Sequence, residues 1–88
     1  MQRPPERMTR TRAPVYFFWI DQQLPHDIAL IVFEVFWGKL TVEDLFEFSD
    51  YDMIVRMQHD SRLTVEEMDM VMHVVKKYRL SLTRRIHR

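Results

Sequence analysis

Two stretches of the chain carry apolar side chains at the three- to four-residue spacing of helices that bury one face. In residues 24–37 the apolar stripe widens until it covers nearly the whole circumference, so this helix must be covered on more than one side. In residues 65–80 most of the apolar side chains, from Met68 to Tyr78, lie on one face. Gly38, the only glycine, is placed to end the first helix in a left-handed conformation.

Polar helix-start signals divide the remaining chain. Thr41, followed by acidic residues, predicts a second helix, and either Ser49 or Asp50 is placed to cap a third helix over residues 51–59. Thr64, with a glutamate three residues later, has the reciprocal capping pattern that begins the last helix. Alternating strand patterns and glycine turns are missing. The sequence therefore predicts an all-α fold, a small bundle of three to five short helices.

A run of β-branched and aromatic residues precedes these helices. Residues 15–20 are too few for periodicity to distinguish a short strand-like segment from the first turns of a buried helix. The rings either fill the core or anchor a partner, because Tyr, Trp and Phe dominate interface hot spots. On the second interpretation the contact residues are Tyr16, Phe17, Phe18 and Trp19.

Charge divides the chain into an acidic body and two basic ends. Residues 1–14 hold three of the four prolines and four arginines, a composition typical of an extended arm. We assign residues 15–82 to the helical domain and residues 83–88 to a basic tail. Residues 15–75 carry three basic side chains against twelve carboxylates, a net charge of −9. This segregation suits intermolecular contact or self-association.

The small size of the chain also favours association. Its 88 residues fit one domain, and a domain this short buries only about 60% of the surface that its unfolded chain exposes. No cysteine is available for a stabilising disulfide, so we expect a protein partner or a homo-oligomer to supplement the core. The lack of cysteine favours a cytoplasmic or intravirion setting. We expect neither a membrane span nor a targeting peptide.

Patterns that signal catalysis or metal binding are missing from the sequence. The four histidines do not pair at a helical ligand spacing, and no serine lies in a nucleophile-elbow context. A single glycine leaves no glycine-rich loop for phosphates. We therefore expect a protein that is not an enzyme and that uses no cofactor, no metal and no small-molecule substrate.

The leading hypothesis is a small helical adaptor or assembly factor that acts through protein–protein contacts. Besides the aromatic run, its candidate partner-binding residues are Trp37, Met70, Arg84 and Arg85. Met70 lies off the main apolar stripe of the last helix, so we expect its flexible thioether to be exposed.

The alternative hypothesis is a nucleic-acid-binding accessory protein. The arginine-rich arm and the C-terminal basic residues, among them Lys76, Lys77, Arg79 and Arg84, would contact phosphates, and Tyr78 would stack on a base. The acidic body opposes this hypothesis because it repels a polyanion.

Residues 24–33, with the sequence Leu-Pro-His-Asp-Ile-Ala-Leu-Ile-Val-Phe, resemble the opening of an F-box, in which Leu-Pro and an acid precede apolar residues ending in Ile-Phe. Residues 44–45, Asp-Leu, resemble a later Asp-Leu of that family, with extra residues between the two pieces. The Val-Cys and Trp of the family are missing around residues 52–55. This resemblance implies an F-box-like module that docks on an adaptor of a ubiquitin ligase.

A second resemblance begins at Trp37. The following residues 40–45, Leu-Thr-Val-Glu-Asp-Leu, are similar to short phrases in small helical phage tail-assembly chaperones. This resemblance implies a phage or viral assembly protein.

Overall fold

The computed structural model describes the backbone of residues 13–86 and the side chains of residues 13–84. Within that range five helices follow one another and no strand occurs, which confirms the all-α prediction. Apart from its last two residues, the predicted N-terminal arm lies outside the described residues. The helices are α1 (Pro14–Asp21), α2 (His26–Val35), α3 (Val42–Leu45), α4 (Asp50–Asp60) and α5 (Val65–Ile86).

The aromatic run is a helix, so the strand alternative is wrong. Pro14 stands in the first turn of α1, where a missing N–H leaves no hydrogen bond unmade. The helical spacing brings Val15 and Trp19 to one face, with Tyr16 beside them. These three side chains are at most 1% exposed, whereas Phe17 and Phe18 are half-buried. Core filling is therefore the role of two of the four candidate contact rings.

A single apolar core holds the helices together. α1 packs against α2 and α3, α2 packs against α4, and α4 packs against α5. The indole N–H of Trp19 is buried without an acceptor among the described residues, which costs the fold about 1–3 kcal/mol. The largest side chains that the core covers completely are Trp19, Tyr16, Leu45, Met53 and Met57.

Aromatic contacts extend this core to the C-terminal helix. The Phe18 ring meets the rings of Trp19, Phe46 and Tyr78 at centroid distances of 5.1, 5.6 and 4.9 Å. All three contacts are edge-to-face, the geometry in which a ring pair contributes about 0.5–1.5 kcal/mol beyond burial. The Phe18 ring, one of the candidate partner contacts, is therefore packed against three rings of its own chain.

The predicted caps of α3, α4 and α5 are confirmed, whereas the helix predicted over residues 24–37 is shorter, from His26 to Val35. The Thr41 and Ser49 hydroxyls each accept a hydrogen bond from the backbone N–H three residues later, at 3.0 and 3.1 Å. Ser49 is therefore the cap of α4, and Asp50 is its first residue. The Thr64 hydroxyl accepts from the Glu67 N–H at 3.1 Å, and the Glu67 carboxylate accepts from the Thr64 N–H at 2.9 Å.

The left-handed ending predicted at Gly38 is wrong. Positive φ angles occur at Gln23 (70°) and at Ser61 (62°), which follows α4, and at no glycine. After α2 the chain instead turns around Phe36, which is 3% exposed and packs its ring 5.5 Å from that of Phe48. Burial of this ring fixes the turn, so no glycine conformation is needed there.

The last helix is longer than the 65–80 range that its apolar stripe predicts, and it continues to Ile86.

Arg79, in the C-terminal half of α5, fixes the turn between α3 and α4. Its guanidinium donates to the Phe46 and Phe48 carbonyl oxygens at 3.3 and 2.6 Å and to the Asp50 carboxylate at 2.9 Å. Arg79 is therefore part of the fold, although the sequence grouped it with the phosphate-binding candidates.

A second arginine, Arg62, links the segment between α4 and α5 to α2. The Arg62 guanidinium donates to the Glu34 carboxylate of α2 at 2.6 Å and to both carboxylate oxygens of Asp60. The hydrogen bond from Arg62 lowers the pKa of the Asp60 carboxyl below its usual value, and partial desolvation opposes this shift. Arg62 and Glu34 are exposed to solvent and Asp60 is half-buried, so solvent screening keeps these ion pairs weak.

Candidate functional site

An apolar cleft with an exposed tryptophan at its edge lies where the described chain begins. The cleft has a volume of about 180 Å³. At its rim Trp37 is 68% exposed and Leu40 is 71% exposed, although neither side chain is polar. We name this surface the Trp37 cleft, and its lining residues are Ala13, Pro14, Phe33, Trp37, Lys39 and Leu40.

Local structure directs the Trp37 ring outward. The turn after α2 places the Phe36 ring in the core, and the ring of its neighbour Trp37 therefore points away from the core, into solvent. The Trp37 ring rests edge-on against Phe33, with centroids 5.3 Å apart and planes at 75°. Phe33 in turn lies edge-on to the buried Tyr16 at 6.1 Å. The exposed indole is therefore supported by the core instead of being free on a loop.

Leu40 is exposed where sequence rules favour burial. It precedes the N-cap Thr41, a position from which an apolar side chain often packs back onto the fourth helical residue. That residue is Leu45, which is completely buried, yet Leu40 remains outside and lines the cleft. No sequence pattern marked Leu40 as a contact residue, since an apolar side chain just before an N-cap usually packs onto the helix that follows.

One basic side chain borders the cleft. Lys39 lines it, and the ammonium of Lys39 lies 4.9 Å from the centroid of the Phe48 ring. The guanidinium of Arg56 lies 4.5 Å from that same ring. Of these two cations only Lys39 lines the cleft, so it alone is shown to place positive charge beside these apolar side chains.

The structure corrects two of the predicted contact residues. Tyr16 and Trp19 are core residues in this fold, and they present no accessible surface to a partner. Burial also raises the pKa of the Tyr16 hydroxyl, because its ionised form loses contact with water. Phe17 and Phe18 are half-buried and pack against neighbouring rings. Of the predicted aromatic contacts, Trp37 alone is largely exposed.

The remaining predicted residues lie on α5. Met70 is 43% exposed, which confirms its predicted exposure, and Arg84 is exposed near the end of the helix. The Arg85 side chain lies outside the described residues. Met70 borders a second, open cleft of about 400 Å³, the Met70 cleft, which shares no lining residue with the Trp37 cleft. Its lining residues are Gln23, Leu24, Glu66, Asp69, Met70, His73 and Val74.

Across the part of the chain that the structure describes, no group of three or more His, Asp or Glu side chains is placed to hold a metal ion. No helix between residues 13 and 86 combines the length and the apolar character that a bilayer span requires. Comparison of the chain with protein-family models, with curated proteins and with solved structures finds no match.

Proposed function

We propose that this protein is a small helical adaptor or assembly factor, not an enzyme, that binds a protein partner through the Trp37 cleft. The observation that carries the proposal is the outward placement of Trp37 and Leu40 at the rim of an apolar cleft. Apart from Tyr51, every other Phe, Trp and Tyr ring of the chain is buried or half-buried. The F-box-like and phage-chaperone hypotheses also name a protein partner, and both remain predictions.

The energetics of burial favour a partner at this cleft. Covering an exposed leucine side chain contributes about 1.5–3 kcal/mol, and tryptophan is the residue most enriched among interface hot spots. The cleft volume of about 180 Å³ is below the roughly 300–1,000 Å³ of typical small-molecule sites. A cleft of this size can hold one apolar side chain of a partner protein. Because Lys39 lines the cleft, an acidic group of the partner would be favoured beside that side chain.

The nucleic-acid alternative has less support from the structure. Tyr78, its stacking candidate, packs against Phe18 and Phe46 with centroids 4.9 and 4.8 Å away. Arg79 is bound to the turn before α4. The exposed basic residues that remain on α5 include Lys76 and Arg84.

The test uses a displayed random-peptide library selected on the purified protein. Selected peptides are then titrated against the variants Trp37→Ser, Leu40→Ser and Tyr51→Ser. All three side chains are more than two-thirds exposed, at 68%, 71% and 74%, so each variant should fold. We expect the first two variants to weaken binding about thirtyfold, the effect of a hot spot of about 2 kcal/mol, and Tyr51→Ser to change nothing.

Two results would overturn the proposal. One is a set of peptides that bind all three variants equally, which would place the contact elsewhere. The other is tight binding of duplex or single-stranded DNA or RNA that falls steeply with added salt and is unaffected by Trp37→Ser, since a steep inverse salt dependence reports phosphate contacts.

A further inference from the structure

The outer face of α5 carries a regular row of exposed side chains that no other helix covers. The row steps along the helix by four, three, four, three and four residues, the spacing of a coiled-coil seam. The opposite face, which includes Val71 and Val75, is buried in the core. We name the row the outer stripe, and its members are Glu66, Met70, His73, Lys77, Leu80 and Arg84.

Charge changes sign along the outer stripe. Glu66, with Asp69 beside the stripe, makes its first turns acidic, and Lys77 and Arg84 make its second half basic. Among the described residues these four side chains have neither a salt bridge nor a side-chain hydrogen bond. Met70 and Leu80, which are 43% and 60% exposed, lie between the charged ends.

An antiparallel second copy of α5 pairs opposite charges at the two ends of this row and apolar side chains inside them, and Lys77 then faces His73. The two-fold axis crosses the outer stripe at the level of residue 75 along the helix. Glu66 then faces Arg84 of the other copy, and Met70 faces its Leu80. Every charged end residue then meets an opposite charge, and each pair occurs twice. A parallel arrangement would instead place Glu66 against Glu66 and Arg84 against Arg84, so like charges would repel.

The Met70 cleft has the form of a knob-into-hole site. Four of its five α5 residues, Glu66, Asp69, Met70 and His73, follow the i, i+3, i+4, i+7 spacing that defines a hole on a helix surface, and the fifth is the buried Val74. Its other walls include the buried Leu24. In the antiparallel register the knob that faces this hole is Leu80 of the second copy.

We propose that the outer stripe binds a second copy of this chain, so that two α5 helices pair antiparallel with each Leu80 seated in the Met70 cleft of the other copy. The pairing uses no residue of the Trp37 cleft, and it does not rest on the proposed function. The dimer leaves both Trp37 clefts without a contact from this interface, so one particle presents two partner sites.

Sedimentation equilibrium over a concentration series tests the pairing. We expect a reversible monomer–dimer equilibrium that weakens with added salt, because the end pairs are screened. Leu80→Asp should raise the dimer Kd at least about a hundredfold, since it buries a carboxylate twice in each dimer. Leu40→Asp, the same change at a leucine that is 71% exposed, should leave the dimer Kd unchanged.

Charge exchange tests the register. Glu66→Arg or Arg84→Glu alone should raise the dimer Kd about tenfold, because each dimer contains the pair twice. The double variant should return the Kd close to that of the unchanged protein. Circular dichroism confirms that each variant stays helical. A chain that is monomeric at every accessible concentration would overturn the proposal, and so would a double variant weaker than both single variants.

Thiol cross-linking tests the direction of the helices. The chain has no cysteine, so Met70→Cys and Leu80→Cys each introduce a single thiol. Only a mixture of the two variants should form a disulfide-linked dimer, because positions 70 of the two copies lie about 15 Å apart along the helix axis, beyond the reach of about 7 Å between Cα atoms. Equal cross-linking of either variant alone would indicate parallel helices and refute the pairing.

Discussion

Replacement of Arg79 by methionine tests how α5 is attached to the rest of the fold. Methionine keeps an unbranched apolar stem and removes the guanidinium, which donates to the carbonyl oxygens of Phe46 and Phe48 and to the carboxylate of Asp50. Each hydrogen bond to a carbonyl contributes about 0.5–1.5 kcal/mol net.

The ion pair adds less than the carbonyl bonds. The Arg79 and Asp50 side chains are 33% and 39% exposed, so solvent screening limits the pair to about 0.2–1 kcal/mol. Water can also reach the freed carbonyls and recover part of the loss. We therefore expect Arg79→Met to lower the free energy of unfolding by about 2 kcal/mol and the Tm by about 8–16 °C.

Urea denaturation followed by circular dichroism measures the loss, at a concentration at which the chain is monomeric. Asp50→Asn, which removes the carboxylate charge alone, should cost about 0.5 kcal/mol. Lys76→Met, on the exposed side of the same helix, should stay within about 0.5 kcal/mol of the unchanged protein. The reasoning is refuted if Arg79→Met costs less than about 0.5 kcal/mol, or if Asp50→Asn costs as much.

Three further predictions concern the helix start, the acid range and the two indoles. Thr64→Ala should lower the free energy of unfolding by about 1 kcal/mol in urea denaturation, because it removes one half of the reciprocal cap of α5. Asp60→Asn should destabilise the protein at neutral pH, because the hydrogen bond from Arg62 lowers the folded-state pKa of Asp60 below its usual value of 3.8. The stabilisation by Asp60 is full above pH 3.8 and is lost as the pH falls through the lower, folded-state pKa. In acid denaturation the difference between the variant and the unchanged protein should therefore vanish below that folded-state pKa. In Trp19→Phe the remaining Trp37 should emit at long wavelength and be quenched by iodide, whereas Trp37→Phe should leave a blue-shifted, protected Trp19.

Local signals predicted much of the helical organisation. Thr41, Ser49 and Thr64 start helices because a side-chain oxygen satisfies a backbone N–H within three residues, an interaction that the sequence shows directly. The apolar stripe of α5 likewise predicted its buried face. The stripe could not predict that the helix continues to Ile86, since residues 81–86 contain only two apolar side chains, too few to show a helical period.

The roles of individual rings and charges depend on tertiary contacts. In α1 every side chain from Val15 to Ile20 is apolar or aromatic, so periodicity could not distinguish the buried Trp19 from its half-buried neighbour Phe18. Arg79 bonds to carbonyls more than 30 residues away in sequence, which no local pattern encodes. The Trp37 cleft joins the start of α1 to the chain after α2, and only the fold brings these segments together.

Photo-cross-linking inside cells in which the protein is native tests the central claim most directly, that the Trp37 cleft is a protein-binding surface. Benzoylphenylalanine replaces Trp37 in one variant and Tyr51, an equally exposed aromatic residue, in the matched control. We expect a discrete protein adduct from position 37 that Leu40→Ser diminishes and that position 51 does not form. No adduct from position 37, or the same adducts from both positions, would contradict the account.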